Sequence, residues 1–244
     1  MINVLTYAVK PYFLHGQPLP FQSRNATEWL RMIVNQLYNT NKARLRRMGI
    51  NTELFHNHSE LTNEPKVRYP LVIYHYFISR FFVTGINEGK DALKELLDPI
   101  FEFAEIDKNF LLKFEQIKEE KLEIVNSNMM YQYTLTNWLS QEINTKQHKQ
   151  FLALPLNEKI KQLETILLKH ITIDFGRFLN LHLSETQLSI HSIDDLKRNS
   201  IPYKTHEYQP FSIEFHANIN LPDFITLGNG KAFGFGRINS MPIL

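Results

Sequence analysis

The spacing of hydrophobic positions changes several times along the chain, and each change marks out an element. Residues 3–9 are rich in β-formers and predict a strand. Asn25 stands where a helix cap would, with Glu28 three residues on, and Trp29, Ile33 and Leu37 then recur at helical spacing. Residues 49–58 read as a short strand or strand end. Residues 69–84 crowd aromatic and β-branched side chains together, as buried strands do. Residues 91–97 predict a helix that stops before Pro99, and 110–125 one or two strands.

The second half repeats this grammar. Residues 129–139 end in a strand. Ile160, Leu163, Leu167, Ile171, Phe175 and Phe178 fall on one face of a long helix, with Asn157 as its expected cap. Residues 181–183 and 187–190 read as short strands. Phe211, Ile213, Phe215, Ala217 and Ile219 alternate with polar residues, the pattern of a half-buried strand. Two β-α-β-type units in series predict an α+β chain of two tandem ferredoxin-like domains, 1–125 and 126–244.

Composition adds limits. A chain of 244 residues suits two domains, and 43% hydrophobic against 21% charged residues supports a packed core rather than disorder. The absence of cysteine excludes disulfides, thiolate metal sites and cysteine nucleophiles. No apolar run reaches the roughly 18 residues of a membrane span. The first residues lack a basic stretch ahead of an apolar one, so no secretory signal is expected and a cytoplasmic location is. The net charge of +2 is unevenly spread: residues 1–90 hold 11 Lys/Arg against 5 Asp/Glu, and residues 91–200 hold 13 against 17. Lys42, Arg44, Arg46 and Arg47 form a dense basic run. Such a run attracts phosphate backbones through counterion release, and a solvated basic helix end explains it equally well.

Two stretches carry candidate chemistry. In His56-Asn57-His58 the histidines are two residues apart, so on an extended segment both imidazoles address one face. An unperturbed imidazole titrates at about 6.5, so one ring can take a proton while the other gives one near neutral pH. That pairing suits RNA cleavage by the substrate's own 2′-hydroxyl. The competing readings are a metal site, for which no third ligand stands at persuasive spacing, and a polar strand end without function. The second stretch, residues 227–238, packs Gly228, Gly230, Gly234 and Gly236 into nine residues beside Lys231 and Arg237. Glycines let a backbone approach phosphate closely, and the two cations favour that use over a plain hairpin. The pattern is neither a nucleotide-binding P-loop nor a dinucleotide fingerprint, because the Gly-Lys-Ser/Thr of the first and the following helix of both are missing.

With these residues in view, the chain resembles the CRISPR guide-RNA-processing endoribonucleases. The stretch from Phe215 through Pro222 to Ile238 is similar to the family's closing signature, Gly-x-Gly-Lys-x-x-x-x-Gly-Phe-Gly, with a somewhat shorter spacer here. Residues 133–139 and the helix at 163–168 resemble the family's central segment. Phe55-His56-Asn57-His58, followed by Arg68-Tyr69-Pro70-Leu71, resembles a subfamily with two active-site histidines at this spacing. The resemblance covers both halves of the chain in order. It implies tandem ferredoxin-like domains, recognition of a CRISPR repeat, and one metal-independent cut per repeat that leaves a 2′,3′-cyclic phosphate and a 5′-hydroxyl.

The same resemblance carries His56 and His58 over as catalytic and the loop at 228–237 as RNA-binding. Lys42, Arg44, Arg46, Arg47 and Arg68 complete the expected RNA contacts. No cofactor and no metal are expected. The expected partners are precursor and processed repeat RNA, with an effector complex and a homodimer as further expectations and no membrane. The rival reading is a non-cutting RNA-binding subunit of such a complex, which would need the loop but not the histidines. His75 and His170 read as packing residues, His216 as a weaker RNA contact, and Tyr12, Phe13 and Phe21 as core rather than base-stacking rings.

Overall fold

The computed structural model describes residues 1–13, 26–55, 69–100, 104–107, 110–143, 145–194, 200–203 and 206–241. Their contacts divide the chain into two compact units, one of Ile2–Leu122 with Ala232–Gly234, the other of Met1, Glu123–Lys231 and Phe235–Leu244. Both are α+β and ferredoxin-like.

In the first unit, β1 (Ile2–Phe13) leads to α1 (Ala26–Arg47), a hairpin of β2 (Val72–Phe77) and β3 (Arg80–Ile86), α2 (Glu88–Leu97), a short β4 (Ala104–Asp107) and β5 (Phe110–Leu122). The sheet order is β2-β3-β1-β5-β4. The first and third strands of the β-α-β-β-α-β unit therefore lie at its centre, and β4 is an added edge. One face of the sheet, with Leu5, Tyr7, Val9, Tyr74, Phe81 and Val83, packs against Trp29, Leu30, Ile33 and Val34 of α1 and Ala92, Leu93 and Leu96 of α2. The helical spacing of Trp29 and Ile33 thus finds its buried face. Over the described part of the expected strand at 49–58, residues 49–55, no strand forms: Gly49 closes α1, and Thr52–Phe55 winds into a single 3₁₀ turn that buries Leu54 and Phe55, while 56–58 lie outside the described residues. Asn25 lies outside the described residues, as do Phe21 and the side chain of Phe13, whereas Tyr12 is 44% exposed and not core.

In the second unit, β6 (Asn126–Glu142) is followed by α3 (Lys146–Ala153) and α4 (Leu156–Lys169), then β7 (Leu188–Ile193), β8 (Ile201–Tyr203), β9 (His206–Ile219) and β10 (Arg237–Ser240). The order β10-β6-β9-β7, with β8 on β9, again places the first and third strands at the centre. No helix fills the second crossover, between β9 and β10; the glycine-rich stretch does, with one 3₁₀ turn at Lys231–Phe233. Residues 181–183 belong to no strand, so the one expected there is absent. Asn157 is not the cap of α4: Pro155 stands at the N-cap position, and no side chain caps the first turn. The helix α3, capped by Thr145 on the His148 N–H at 3.1 Å, had no clear periodic signal. Beyond Lys169 the helix widens into π-type winding through Arg177, which keeps Ile171 and Phe175 fully buried while Phe178 emerges at 38% exposure.

Candidate functional site

The glycine-rich loop is held by β6 before any side chain acts. The β6–β9 register shifts between Leu135 and Trp138, and Asn137 there adopts a left-handed backbone (φ 52°). This bulge turns the Asn137 carbonyl toward the loop, where it accepts from the Gly236 N–H at 3.1 Å. The Leu139 carbonyl accepts from both the backbone and the side-chain N–H of Asn229, each at 3.1 Å. Leu227 N–H closes the loop's neck on Gly236 O at 2.8 Å. All four loop glycines have φ between 67° and 87°. At Gly236 the need is absolute, since a Cβ would lie 1.9 Å from the Leu227 carbonyl oxygen.

A chain of polar groups supports the loop from α4 and its widened end. Trp138, fully buried, donates its indole N–H to Nδ1 of His170 at 3.1 Å. Burial pulls the His170 imidazole down to about 4, with Asp174 opposing and Lys231 assisting. The ring is therefore neutral near pH 7, its proton sits on Nε2, and Nε2 lies 4.0 Å from Asp174 Oδ2. Lys231 Nζ reaches the same carboxylate at 3.5 Å and donates to the Gly228 carbonyl at 2.8 Å. Burial lowers the Lys231 ammonium and Asp174 partly restores it. Lys231 is thus an internal clamp of its own loop. Arg237, the other cation expected to meet phosphate, is 3% exposed; burial draws its guanidinium down to about 10, against the pull of Asp223. The exposed polar side chain of the loop is Asn229.

The remaining candidates scatter differently. His56, His58 and Arg68 lie outside the described residues. Both flanks of the histidine segment are fixed in the first unit's core: Phe55 is 1% exposed, its ring is 5.0 Å from that of Tyr38, and its carbonyl accepts from Tyr74 Oη at 3.4 Å, while Tyr69 is 1% exposed. In the basic run, Arg44 points inward and donates to the Glu95 carbonyl at 2.7 Å, joining α1 to α2. Lys42 lies 5.7 Å from the Tyr38 ring, and Arg46 and Arg47 are exposed on the last turn of α1. His75 is buried in β2. His216 is half-buried on the polar face of β9, its ring 4.1 Å from that of His191. The sequence reading passed over Asp174 and the bulge at Asn137. The legible signals were the His170–Asp174 spacing of one helical turn and an Asn beside a buried Trp.

Family models describe both halves. Residues 34–123 match the Cas6b N-terminal domain and residues 124–241 the Cas6b C-terminal domain. The chain belongs to the Cas6 family. Among solved structures, one described as the crystal structure of Cas6b is 16% identical, aligns over 99% of this chain and 100% of its own, and has a TM-score of 0.69. A second, described as the CRISPR RNA processing endoribonuclease Cas6b, is 15% identical over 98% of this chain and 100% of its own, at a TM-score of 0.59. A third, described as Csf5, a type IV Cas6 crRNA endonuclease, is 12% identical over 99% of each chain, at a TM-score of 0.52. At these identities the likeness establishes the Cas6 fold. Among curated proteins no match is found. No helix among the described residues is long and apolar enough to cross a membrane.

Proposed function

We propose that this chain is an endoribonuclease that cuts CRISPR precursor RNA within each repeat, without a metal ion. The observation that carries the reading is the pair of Cas6b domain matches spanning residues 34–241. In this mechanism one imidazole of the His56/His58 pair removes the proton from the 2′-hydroxyl next to the scissile phosphate. The 2′-oxygen attacks phosphorus in line, and the other imidazole protonates the departing 5′-oxygen. The products are a 2′,3′-cyclic phosphate and a 5′-hydroxyl. The loop, fixed at Leu227, Asn229 and Gly236 by backbone hydrogen bonds, presents a preorganised arch to the RNA backbone.

The test is cleavage of a repeat RNA by purified protein in excess EDTA. Cutting should persist, and its products should carry a cyclic phosphate. A single 2′-deoxy nucleotide just upstream of the cut should abolish cleavage while binding remains, because recognition is spread over many groups and attack depends on one oxygen. Activity lost in EDTA and restored by a divalent ion, or efficient cutting of the deoxy substrate, would overturn the mechanism. Tight binding with no cutting would make the chain a repeat-binding subunit instead.

A second expectation separates the two kinds of cation. Arg46→Gln with Arg47→Gln should flatten the dependence of log Kd on log salt by roughly 0.7–0.9 for each phosphate contact removed. Lys231→Met should weaken binding by loosening the loop, with a nearly unchanged salt slope. A slope unaltered by the arginine changes would remove the end of α1 from the RNA surface.

A further inference from the structure

The polar groups beneath the glycine-rich loop close on themselves. Gly228 opens the loop with φ 87°, and a Cβ there would lie 2.6 Å from Cδ1 and Nε1 of Trp138, so the bare backbone rests on the indole. The indole N–H donates to Nδ1 of His170 at 3.1 Å, and the other nitrogen of that imidazole faces Asp174 Oδ2 at 4.0 Å. The same oxygen takes Lys231 Nζ at 3.5 Å, and Lys231 Nζ returns to the Gly228 carbonyl at 2.8 Å. Gly228, Trp138, His170, Asp174 and Lys231 thus form one ring, and Asp174 is its acid.

Two features single Asp174 out. The ring is sparingly hydrated: the side chains of His170, Lys231 and Asp174 are 12%, 19% and 32% exposed. An ammonium so placed needs a counter-charge that a carbonyl alone does not supply. Burial weakens the charge on Lys231, and Asp174 restores it. The second feature is the backbone that carries the acid. From His170 to Arg177 the helix is π-wound, a geometry that is rare and recurs at functional sites. Here it keeps Ile171 and Phe175 fully buried while His170 and Asp174, four residues apart, both turn to the ring.

We infer that Asp174 is a positioning residue for RNA binding: it anchors Lys231, and through it the Gly228 carbonyl, so that the loop meets phosphate already shaped. Removing a negative charge near a polyanion ordinarily strengthens its binding. At Asp174 the sign is reversed. The carboxylate is spent within the ring, and its removal releases the ammonium and the backbone that it clamps. Asp174 matters to RNA only if the loop meets RNA, as the proposed function has it, so loop and RNA are read separately.

The variant is Asp174→Asn in the full chain, nearly isosteric and without the charge. In hydrogen exchange without RNA, the amides of Asn229 and Gly236, bonded to Leu139 and Asn137, should exchange about 5- to 30-fold faster than in the parent, and those of β1 and β5 at the parent rate. Affinity for a labelled repeat RNA, by fluorescence anisotropy, should fall by about the same factor. Asp174→Glu, which keeps the carboxylate, should recover most of that loss. Glu158→Gln, which removes an exposed acid from the first turn of α4, should bind as tightly as the parent or more tightly. Lys231→Met should reproduce Asp174→Asn in both readouts, and the two changes together should lose no more than one alone, whereas independent destabilisations would add. Either variant carries the test if the other fails to fold. Tighter RNA binding by Asp174→Asn would make the acid a brake on Lys231 and overturn the inference. Parent-like exchange at Asn229 and Gly236, additive losses, or a loosened loop with parent-like affinity would overturn it as well. The expected losses in a chain that never cuts repeats would sink the processing reading and leave this one standing.

Discussion

Replacing His56 or His58 by alanine should slow single-turnover cleavage of a repeat RNA by about 10²–10⁴-fold each, the usual cost of losing a general acid or base. Affinity for the repeat should barely change, because two side chains contribute little to a contact spread over many phosphates. The double variant should be little slower than the worse single one, since groups acting as a unit fail together. The measurement is a rate under enzyme excess, with Kd taken on a 2′-deoxy substrate that cannot turn over. Wild-type rates in both single variants would reduce the pair to a polar segment between two anchored flanks, Phe55 and Tyr69. A large loss in only one would keep the chemistry and reassign the partner.

The second large effect is expected from a single methyl group. Gly236→Ala places a Cβ 1.9 Å from a backbone oxygen at a residue whose φ is 67°. The alanine cannot be relieved by a rotamer change, so the neck of the loop must open. The hydrogen bonds from Leu227 N–H to Gly236 O and from Gly236 N–H to Asn137 O are then strained or lost. Left-handed strain and one or two backbone hydrogen bonds sum to about 2–4 kcal/mol. Gly49→Ala is the control: φ is 77° there, but nothing lies within 4 Å of the added Cβ, so only the conformational cost of about 1 kcal/mol applies. Urea midpoints should rank the two variants in that order, and repeat affinity should fall only for Gly236→Ala. Equal midpoints would mean that the neck is soft and the loop not preorganised.

Much of the fold was legible because burial writes itself into periodicity. Trp29 and Ile33 announced α1, and the alternation from Phe211 to Ile219 announced β9. What stayed hidden depends on contacts made between distant residues. The 3₁₀ turn at Thr52–Phe55 has the composition of a strand and becomes a turn only because Leu54 and Phe55 reach into the core beside α1. The π-type winding after Lys169 follows from packing that keeps Phe175 inside. At the candidate site, glycine spacing marked the loop correctly as special. The roles of its cations could not be read from type alone: a lysine beside glycines suggests phosphate, and only the 2.8 Å bond to the Gly228 carbonyl shows Lys231 turned inward. Tyr12 misled in the opposite direction, because an aromatic residue near a strand's end looks like core until the face it occupies is known.

In most β-α-β-β-α-β domains the second crossover is a helix, and a helix can slide, lengthen or be exchanged with little effect on the sheet it covers. Here that crossover is the loop between β9 and β10, and the hydrogen bonds that tie it to β6 run to the bulged Asn137 and to Leu139 two residues on. Its length is therefore set by strand register rather than by surface space. The loop is not a cassette that could be lifted from one relative and set into another. To transplant the nine residues from Gly228 to Gly236 one would have to carry the β6 bulge, Trp138 and Asp174 with them, so the inheritable unit is a strand, a helix end and a loop drawn from three separate stretches of sequence. Variation in spacer length between relatives, on this view, should travel with compensating change at the bulge.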